Sequence, residues 1–203
     1  MFSKVASKYD RANSVLSVGI HHLWRRKLVT LSKASPGLSV LDCATGTGDL
    51  AIAFKKAVGQ QGTVIGTDFC ADMLATAPQK AKSQHLEIEF QQADVTDLQY
   101  PDNKFDIVSI SFGIRNVSDP LKALSEMARV TKPGGRVMVL EFGQMSTPVI
   151  KDLYRVYSEK VLPAIGGMVT GQKEAYEYLQ KSSAAFPSGE EFIELMKKSN
   201  CFI

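Results

Sequence analysis

From residue 39 to residue 142 the chain alternates between short β-rich runs and amphipathic stretches, and no other feature of it constrains the fold as tightly. SVLDC (39–43), GTVIGTDF (62–69), LEIEFQ (86–91), FDIVSISF (105–112) and RVMVLEF (136–142) read as strands. Between them, DLAIAFKKAV (49–58), ADMLATAPQKAK (71–82) and DPLKALSEMARV (119–130) carry helical spacing. Pro78 should kink the second of these or mark an irregular first turn, while Asp119 and Pro120 supply the N-cap and first position of the third. KPGG (132–135) reads as a turn before the last strand.

LEIEFQ alternates as a half-exposed strand does, whereas the other runs are apolar enough to be buried on both faces. This pattern specifies an α/β fold of Rossmann-like type: an open, mostly parallel sheet with helices on both faces and right-handed crossovers. Ligands of such sheets sit beyond the carboxyl ends of the strands, near the switch in strand order. The candidate site residues are therefore Asp42 to Gly48, Asp68, the loop after EFQQ, Ser111 to Asn116, and Glu141 to Gly143.

The stretch LDCATGTGDLA (41–51) joins the first strand to the first of these helices and has two readings. Gly46, Gly48 and Ala51 match a dinucleotide fingerprint, in which the helix N-terminus faces a pyrophosphate. Carboxylates flank the loop, however. Asp49 reads as a helix N-cap and competes with a pyrophosphate for the same N–H groups. Asp42, charged at the end of a buried strand, needs a partner, which a cationic ligand would supply. Asp68 follows Gly48 by 20 residues, at the end of the second strand, where an acid grips ribose hydroxyls. Asp94, after the third strand, suits an adenine amino group, with Val95 packed on the ring. S-adenosylmethionine carries a sulfonium, an ammonium and a ribose but no phosphate. Three acids at successive strand ends fit it better than a dinucleotide, so a methyltransferase is favoured over a nicotinamide oxidoreductase.

The 203 residues suit one domain, with 44% hydrophobic and 22% charged residues as in ordinary globular proteins. A net charge of +3 argues against a nucleic-acid partner, and the one basic cluster, WRRK (24–27), reads as a solvated helix face. The three cysteines, Cys43, Cys70 and Cys201, are too scattered for a disulfide frame or a zinc site, and Cys43 reads as a core residue. His21, His22 and His85 show no ligand spacing, so no metal is expected. No apolar run is long enough to span a bilayer, and MFSKVASKYD lacks the apolar core of a signal peptide.

VLDCATGTGDLA, GTDFCADML, ADVTDLQYPDNKFDIVSISFGIRNV and ARVTKPGGRVMVLEFG resemble the class I S-adenosylmethionine-dependent methyltransferases. KYDRANSVLSVGIHHLWRR (8–26), SFGIRNV (111–117), LEFG (140–143) and YSEKVLPAIG (157–166) narrow the resemblance to the ubiquinone/menaquinone biosynthesis C-methyltransferases. The resemblance runs from the N-terminus to about residue 199. It implies S-adenosyl-L-methionine as cofactor, with contacts on Thr47, Asp68, Asp94, Val95 and Ser111, and with Asp42, Gly46 and Gly48 completing the loop. Ala44 departs from the superfamily, many of whose members carry glycine there. One methyltransferase domain is expected over 1–203: a helical cap (1–35), a cofactor-binding core (36–147), and a helical substrate-side region (148–203) that ends on the start of a truncated sixth strand, CFI. The family's two C-terminal edge strands are missing by this reading, which leaves the fifth strand as an exposed edge.

The resemblance further implies methylation of a ring carbon of a polyprenylated quinol, demethylmenaquinol or the benzoquinol of the ubiquinone pathway. A cytoplasmic enzyme follows, with peripheral contact at the inner membrane surface and a homodimer both left open. The chemistry needs a proton acceptor near the ring hydroxyl, close positioning and exclusion of water. Arg115 and Asn116 are the first candidates, for a developing phenolate and for orienting the ring oxygen. Their structural alternatives are pairing of Arg115 with an acid such as Asp119 and capping of the next helix by Asn116. Tyr9, beside Asp10 on a lid-like N-terminal helix, is the second candidate, and Glu141 borders the same region. VLPAIGGMV (161–169) is either a cover for the prenyl tail or ordinary helix packing. The competing functions are another small phenol or a sterol as acceptor, and a catalytically silent methyltransferase-fold protein acting in an assembly.

Overall fold

Val40, Leu41, Asp42 and Cys43 are all buried because β1 (Ser39–Cys43) is paired along both edges. The computed structural model describes residues 20–143, 178 and 181–199. In chain order these form α1 (Ile20–Leu31), β1, α2 (Asp49–Val58), β2 (Thr63–Asp68), α3 (Ala71–Leu74), α4 (Ala77–Lys82), β3 (Glu89–Gln92), β4 (Phe105–Ser111), a 3₁₀ turn (Ile114–Asn116), α5 (Pro120–Val130), β5 (Thr131–Leu140) and α6 (Glu190–Lys198). Tyr9, Asp10, VLPAIGGMV and the terminal CFI lie outside the described residues.

The sheet is parallel throughout and ordered β3-β2-β1-β4-β5. Its order reverses between β1 and β4, where Asp42 stands opposite Ser109. Strand periodicity divides the core between two faces. Leu41, Cys43, Ile65, Val108 and Ile110 pack toward Leu124, Met127 and Val130 of α5, with Leu195 and Met196 of α6 against the same layer. Val40, Val64 and Ile107 pack toward Leu28 of α1 and Leu50, Phe54 and Val58 of α2. Burying each such side chain contributes about 1.5–3 kcal/mol. Cys43 is a core residue, as its apolar surroundings predict.

Three local expectations need correction. The segment 71–82 is not one helix but two, α3 and α4, and Pro78 takes the second of its expected roles, in the first turn of α4, where a missing N–H is harmless. β3 begins at Glu89 rather than residue 86, because the Leu86 N–H is taken by the Ala81 carbonyl at the end of α4 (3.1 Å) and His85 adopts φ 56°. KPGG is not a turn ahead of β5 but an excursion inside it: Thr131 pairs with Phe105 and Arg136 with Ile107, so residues 132–135 oppose Asp106 alone. Lys132 Nζ, 2.9 Å from both Asp106 carboxylate oxygens, pins the excursion to β4. The α5 start conforms to expectation, with Asp119 Oδ1 accepting the Lys122 N–H at 3.0 Å.

Candidate functional site

The two strands at the order switch both leave the sheet through a residue in the left-handed region: Ala44 at φ 50° after β1, and Phe112 at φ 57° after β4. Neither is glycine, and such a conformation is disfavoured for any residue with a Cβ. Ala44 therefore keeps the backbone shape that glycine would take there. The two exits also touch, since a Cβ added at Gly113 would lie 2.4 Å from the Ala44 Cβ. Both exits lie at the carboxyl ends of the strands, where sheets of this kind bind ligands.

The glycine loop is tied down by acids. Asp42 is 1% exposed, and it accepts hydrogen bonds from Thr45 Oγ1 at 2.6 Å and Ser109 Oγ at 2.7 Å. The partner expected to be a cationic ligand is thus a pair of hydroxyls from the protein itself. Burial pushes the Asp42 carboxyl up to about 6, against the lowering effect of those two hydroxyls. Asp68 accepts the Gly46 N–H on Oδ2 at 2.8 Å and the Cys70 N–H on Oδ1 at 2.9 Å. Burial raises its pKa while the two N–H bonds act in the opposite direction. Gly46 and Gly48 have φ 58° and 84°, and a Cβ at Gly48 would lie 3.1 Å from Ala77 and from the Phe90 ring. Thr47 between them is buried and accepts from Lys80 Nζ at 3.4 Å.

Asp49 is not the N-cap of α2. Gly48 holds that position without a side-chain cap, and Asp49 turns to Arg25 (2.7 Å) and to Lys80. Burial works against its charge, but Lys80 and Arg25 outweigh burial and hold its carboxyl below the ordinary value. The WRRK cluster is accordingly not one solvated face, because Arg25 points inward. This pairing removes the electrostatic argument against a pyrophosphate that Asp49 supplied in the sequence. The fold also brings Asp49 beside His21 and His22, with ligand atoms within 4.8 Å of one another, a grouping that the spacing of the histidines did not predict. Arg25 and Lys80 already occupy that carboxylate and oppose a metal ion there.

At the end of β3, Asp94 is exposed and its Oδ1 accepts both the N–H and the hydroxyl of Thr96 at 2.8 Å. Val95 is half-buried against the α5 side of the core. At the end of β4, Ser111 Oγ is buried and has no hydrogen-bond partner among the described residues. Arg115 does not pair with Asp119. Its Nη1 binds Glu141 and donates to the Phe112 carbonyl at 3.0 Å, with the two charged side chains 6% and 8% exposed. Asn116 does not cap α5; its Oδ1 accepts the Tyr178 hydroxyl at 3.1 Å. The described site therefore gathers Asp42, Gly46, Thr47, Gly48 and Asp68 around one loop, and Arg115 and Glu141 across the exits of β4 and β5.

The expected site ranges 111–116 and 141–143 contain Phe112 and Phe142 without giving either ring a role, and Trp24 lies outside them. Phe112 and Phe142 stand 4.7 Å apart between centroids, and Trp24 is 6.2 Å from each. Phe112 and Phe142 each follow a strand that was expected to end at a site, which is the signal that points to them.

The profile of the ubiE/COQ5 methyltransferase family matches residues 1–202. The ubiquinone/menaquinone biosynthesis C-methyltransferase UbiE of Bdellovibrio bacteriovorus is 69% identical over 202 residues, which cover 100% of this chain and 86% of that protein. The demethylmenaquinone methyltransferase of Thermus thermophilus is 45% identical over 197 residues, covering 97% of this chain and 89% of the relative. A solved S-adenosylmethionine-dependent methyltransferase from Thermotoga maritima, a possible histamine N-methyltransferase, superposes with a TM-score of 0.68 at 22% identity, over 98% of this chain and 78% of that one. A second, from Aquifex aeolicus, has a TM-score of 0.56 at 27% identity, over 61% of this chain and 66% of that one.

Proposed function

This chain belongs to the ubiE/COQ5 methyltransferase family, and we infer from that membership the reaction it performs. It is an S-adenosylmethionine-dependent C-methyltransferase of quinone biosynthesis. The observation that carries this reading is 69% identity across the whole chain to a UbiE protein. The acceptor is a polyprenylated quinol, and of the two quinols the naphthoquinol, demethylmenaquinol, is the one we favour.

When bound, S-adenosylmethionine would supply its sulfonium methyl group to a ring carbon of the quinol, leaving as S-adenosylhomocysteine while that carbon gives up its proton. In this reading the loop backbone around Thr47 approaches the cofactor closely, which Gly46 and Gly48, without a Cβ and at positive φ, permit. Asp68, already anchored by two N–H groups, accepts ribose hydroxyls with its remaining lone pairs. Asp94 and Val95 border the adenine, and the Ser111 hydroxyl, without a hydrogen-bond partner among the described residues, is available to the ligand. Asp42 is too deeply buried to meet a ligand and acts by holding Thr45 and Ser109, which shape the loop.

The acceptor carbon becomes nucleophilic when the neighbouring hydroxyl ionises. The charged guanidinium of Arg115 favours that ionised oxygen. Asn116, its carbonyl taken by Tyr178, has its NH₂ left to orient the ring. Tyr9, outside the described residues, stays the second candidate for the substrate ring. The prenyl tail needs an apolar surface, and peripheral contact with a membrane would provide it. Among the described residues no helix is long and apolar enough to cross one. Comparative turnover tests the acceptor: demethylmenaquinol should be methylated faster than the benzoquinol and far faster than a small phenol. Preference for the small phenol would overturn the acceptor assignment.

A further inference from the structure

We propose that Trp24, Phe112 and Phe142 form the seat of the acceptor's ring, with Arg115, braced by Glu141, addressing the ring oxygen. This rests on the acceptor being a quinol, and it locates where that quinol lies.

The three rings come from α1 and from the exits of β4 and β5, so they meet at the carboxyl ends of the strands. Phe112 and Phe142 are tilted 31° at 4.7 Å, and Trp24 presents its edge to Phe142 at 83°. Phe112 is held at φ 57°, an outlier for a bulky residue. Two bonds enforce it: its N–H donates to the Leu140 carbonyl at 2.7 Å, and its carbonyl accepts from Arg115 Nη1 at 3.0 Å. Without that turn the ring would not stack on Phe142.

The wall contains one unmatched donor. The Arg115 side chain is 6% exposed, with its Cζ 5.4 Å from the centre of the Phe142 ring, and its Nε is buried without a hydrogen-bond partner among the described residues. A buried N–H left unpaired is costly, so a ligand that accepts from it gains more than the bond alone. Glu141 couples the two features. Its Oε1 takes the Arg115 guanidinium and also accepts the Phe142 N–H at 2.9 Å, so one carboxylate fixes both donor and ring. Trp24, 40% exposed, leaves the cluster open on its side. Rings on the wall and a charged donor within it suit a planar aromatic ligand whose oxygen carries negative charge. An aliphatic ligand would leave the donor unused, and a small inorganic anion would leave the rings unused.

Trp24 is the only tryptophan of the chain, so its fluorescence reports on this cluster directly. The experiment is a titration of the full chain, saturated with S-adenosylhomocysteine, with menadione, a short naphthoquinone. Saturable quenching is expected. Phe142→Leu, Phe112→Leu and Glu141→Gln should each weaken menadione binding by at least about tenfold while S-adenosylhomocysteine affinity stays within about twofold. Quenching that never saturates overturns the seat, as does a menadione affinity unchanged in Phe142→Leu and Glu141→Gln. Methylation by the wild type, assayed alongside, separates this proposal from the reaction it rests on. Turnover of demethylmenaquinol with menadione affinity indifferent to Phe142 sinks the seat and leaves the reaction standing. Saturable, Phe142-dependent binding without turnover of either quinol sinks the acceptor assignment and leaves the seat standing.

Discussion

Gly46 donates its backbone N–H to Asp68 Oδ2 at 2.8 Å. The bond fastens the loop after β1 to the end of β2, so the acid assigned to the ribose and the backbone assigned to the donor's approach form one rigid unit. Asp68→Ala removes the carboxylate from both tasks. Its affinity for S-adenosylhomocysteine, measured by calorimetry, should fall by at least about tenfold, the usual worth of a charge-assisted hydrogen bond. Unchanged affinity would take Asp68 out of the cofactor site.

Asp42 makes a prediction about pH. Its pKa is about 6 in the folded protein against an ordinary value of 3.8, with burial as the main cause. Below about pH 4 the group is protonated in both folded and unfolded states and has no effect on stability. As pH rises from about 4 to 6 the unfolded state ionises first, and stability falls. Above about pH 6 the full cost, roughly 3 kcal/mol, is present. Asp42→Asn removes this dependence. Urea unfolding of both proteins across that range should show the variant gaining on the wild type as pH rises. A difference independent of pH contradicts the burial account.

Gly48 combines φ 84° with a space that a methyl group would overfill, 3.1 Å from Ala77 and the Phe90 ring. Gly48→Ala should destabilise the fold by roughly 1–3 kcal/mol in urea unfolding, because backbone strain and crowding act together. An effect below about 0.5 kcal/mol would mean that the loop accommodates a side chain freely.

Arg115 and Glu141 can be separated by a pair of variants. Arg115→Ala should lower kcat while leaving S-adenosylhomocysteine affinity within about twofold. It should also destabilise the protein by roughly 3–5 kcal/mol, because it leaves Glu141 buried and unpaired. Arg115→Ala with Glu141→Ala should recover much of that stability and none of the turnover. Recovery of turnover in the double variant would reduce the pair to a structural role.

The β1–α2–β2 unit was legible to the residue or nearly so, because SVLDC and DLAIAFKKAV carry strong periodicities and their tertiary contacts agree with them. KPGG was misread because turn-forming residues also make bulges, and only the pairing with Phe105 and Ile107 tells the two apart. Asp42, Asp49 and Arg115 show a second limit. The sequence says that a buried charge needs a partner, but apart from Thr45, three residues from Asp42, the partners are Ser109, Arg25, Lys80 and Glu141, at least 24 residues away in the chain. Asp49 is the instructive case, since two distant cations cancelled the charge on which the rejection of a dinucleotide leaned. The family motifs, not that charge, identified the cofactor correctly. Phe112 and Phe142 fell inside expected site ranges, but their meeting with Trp24 was not legible, because the three are brought together only by the fold.

The central claim is methyl transfer to carbon. Incubation of the wild type with S-adenosylmethionine labelled with carbon-13 at the methyl group and with reduced demethylmenaquinone tests it most directly. Carbon-13 NMR of the extracted quinone should place the label in a methyl group on a ring carbon, matched mole for mole by S-adenosylhomocysteine. A label in a methoxy group, or cofactor bound without any transfer to the quinol, would contradict the account.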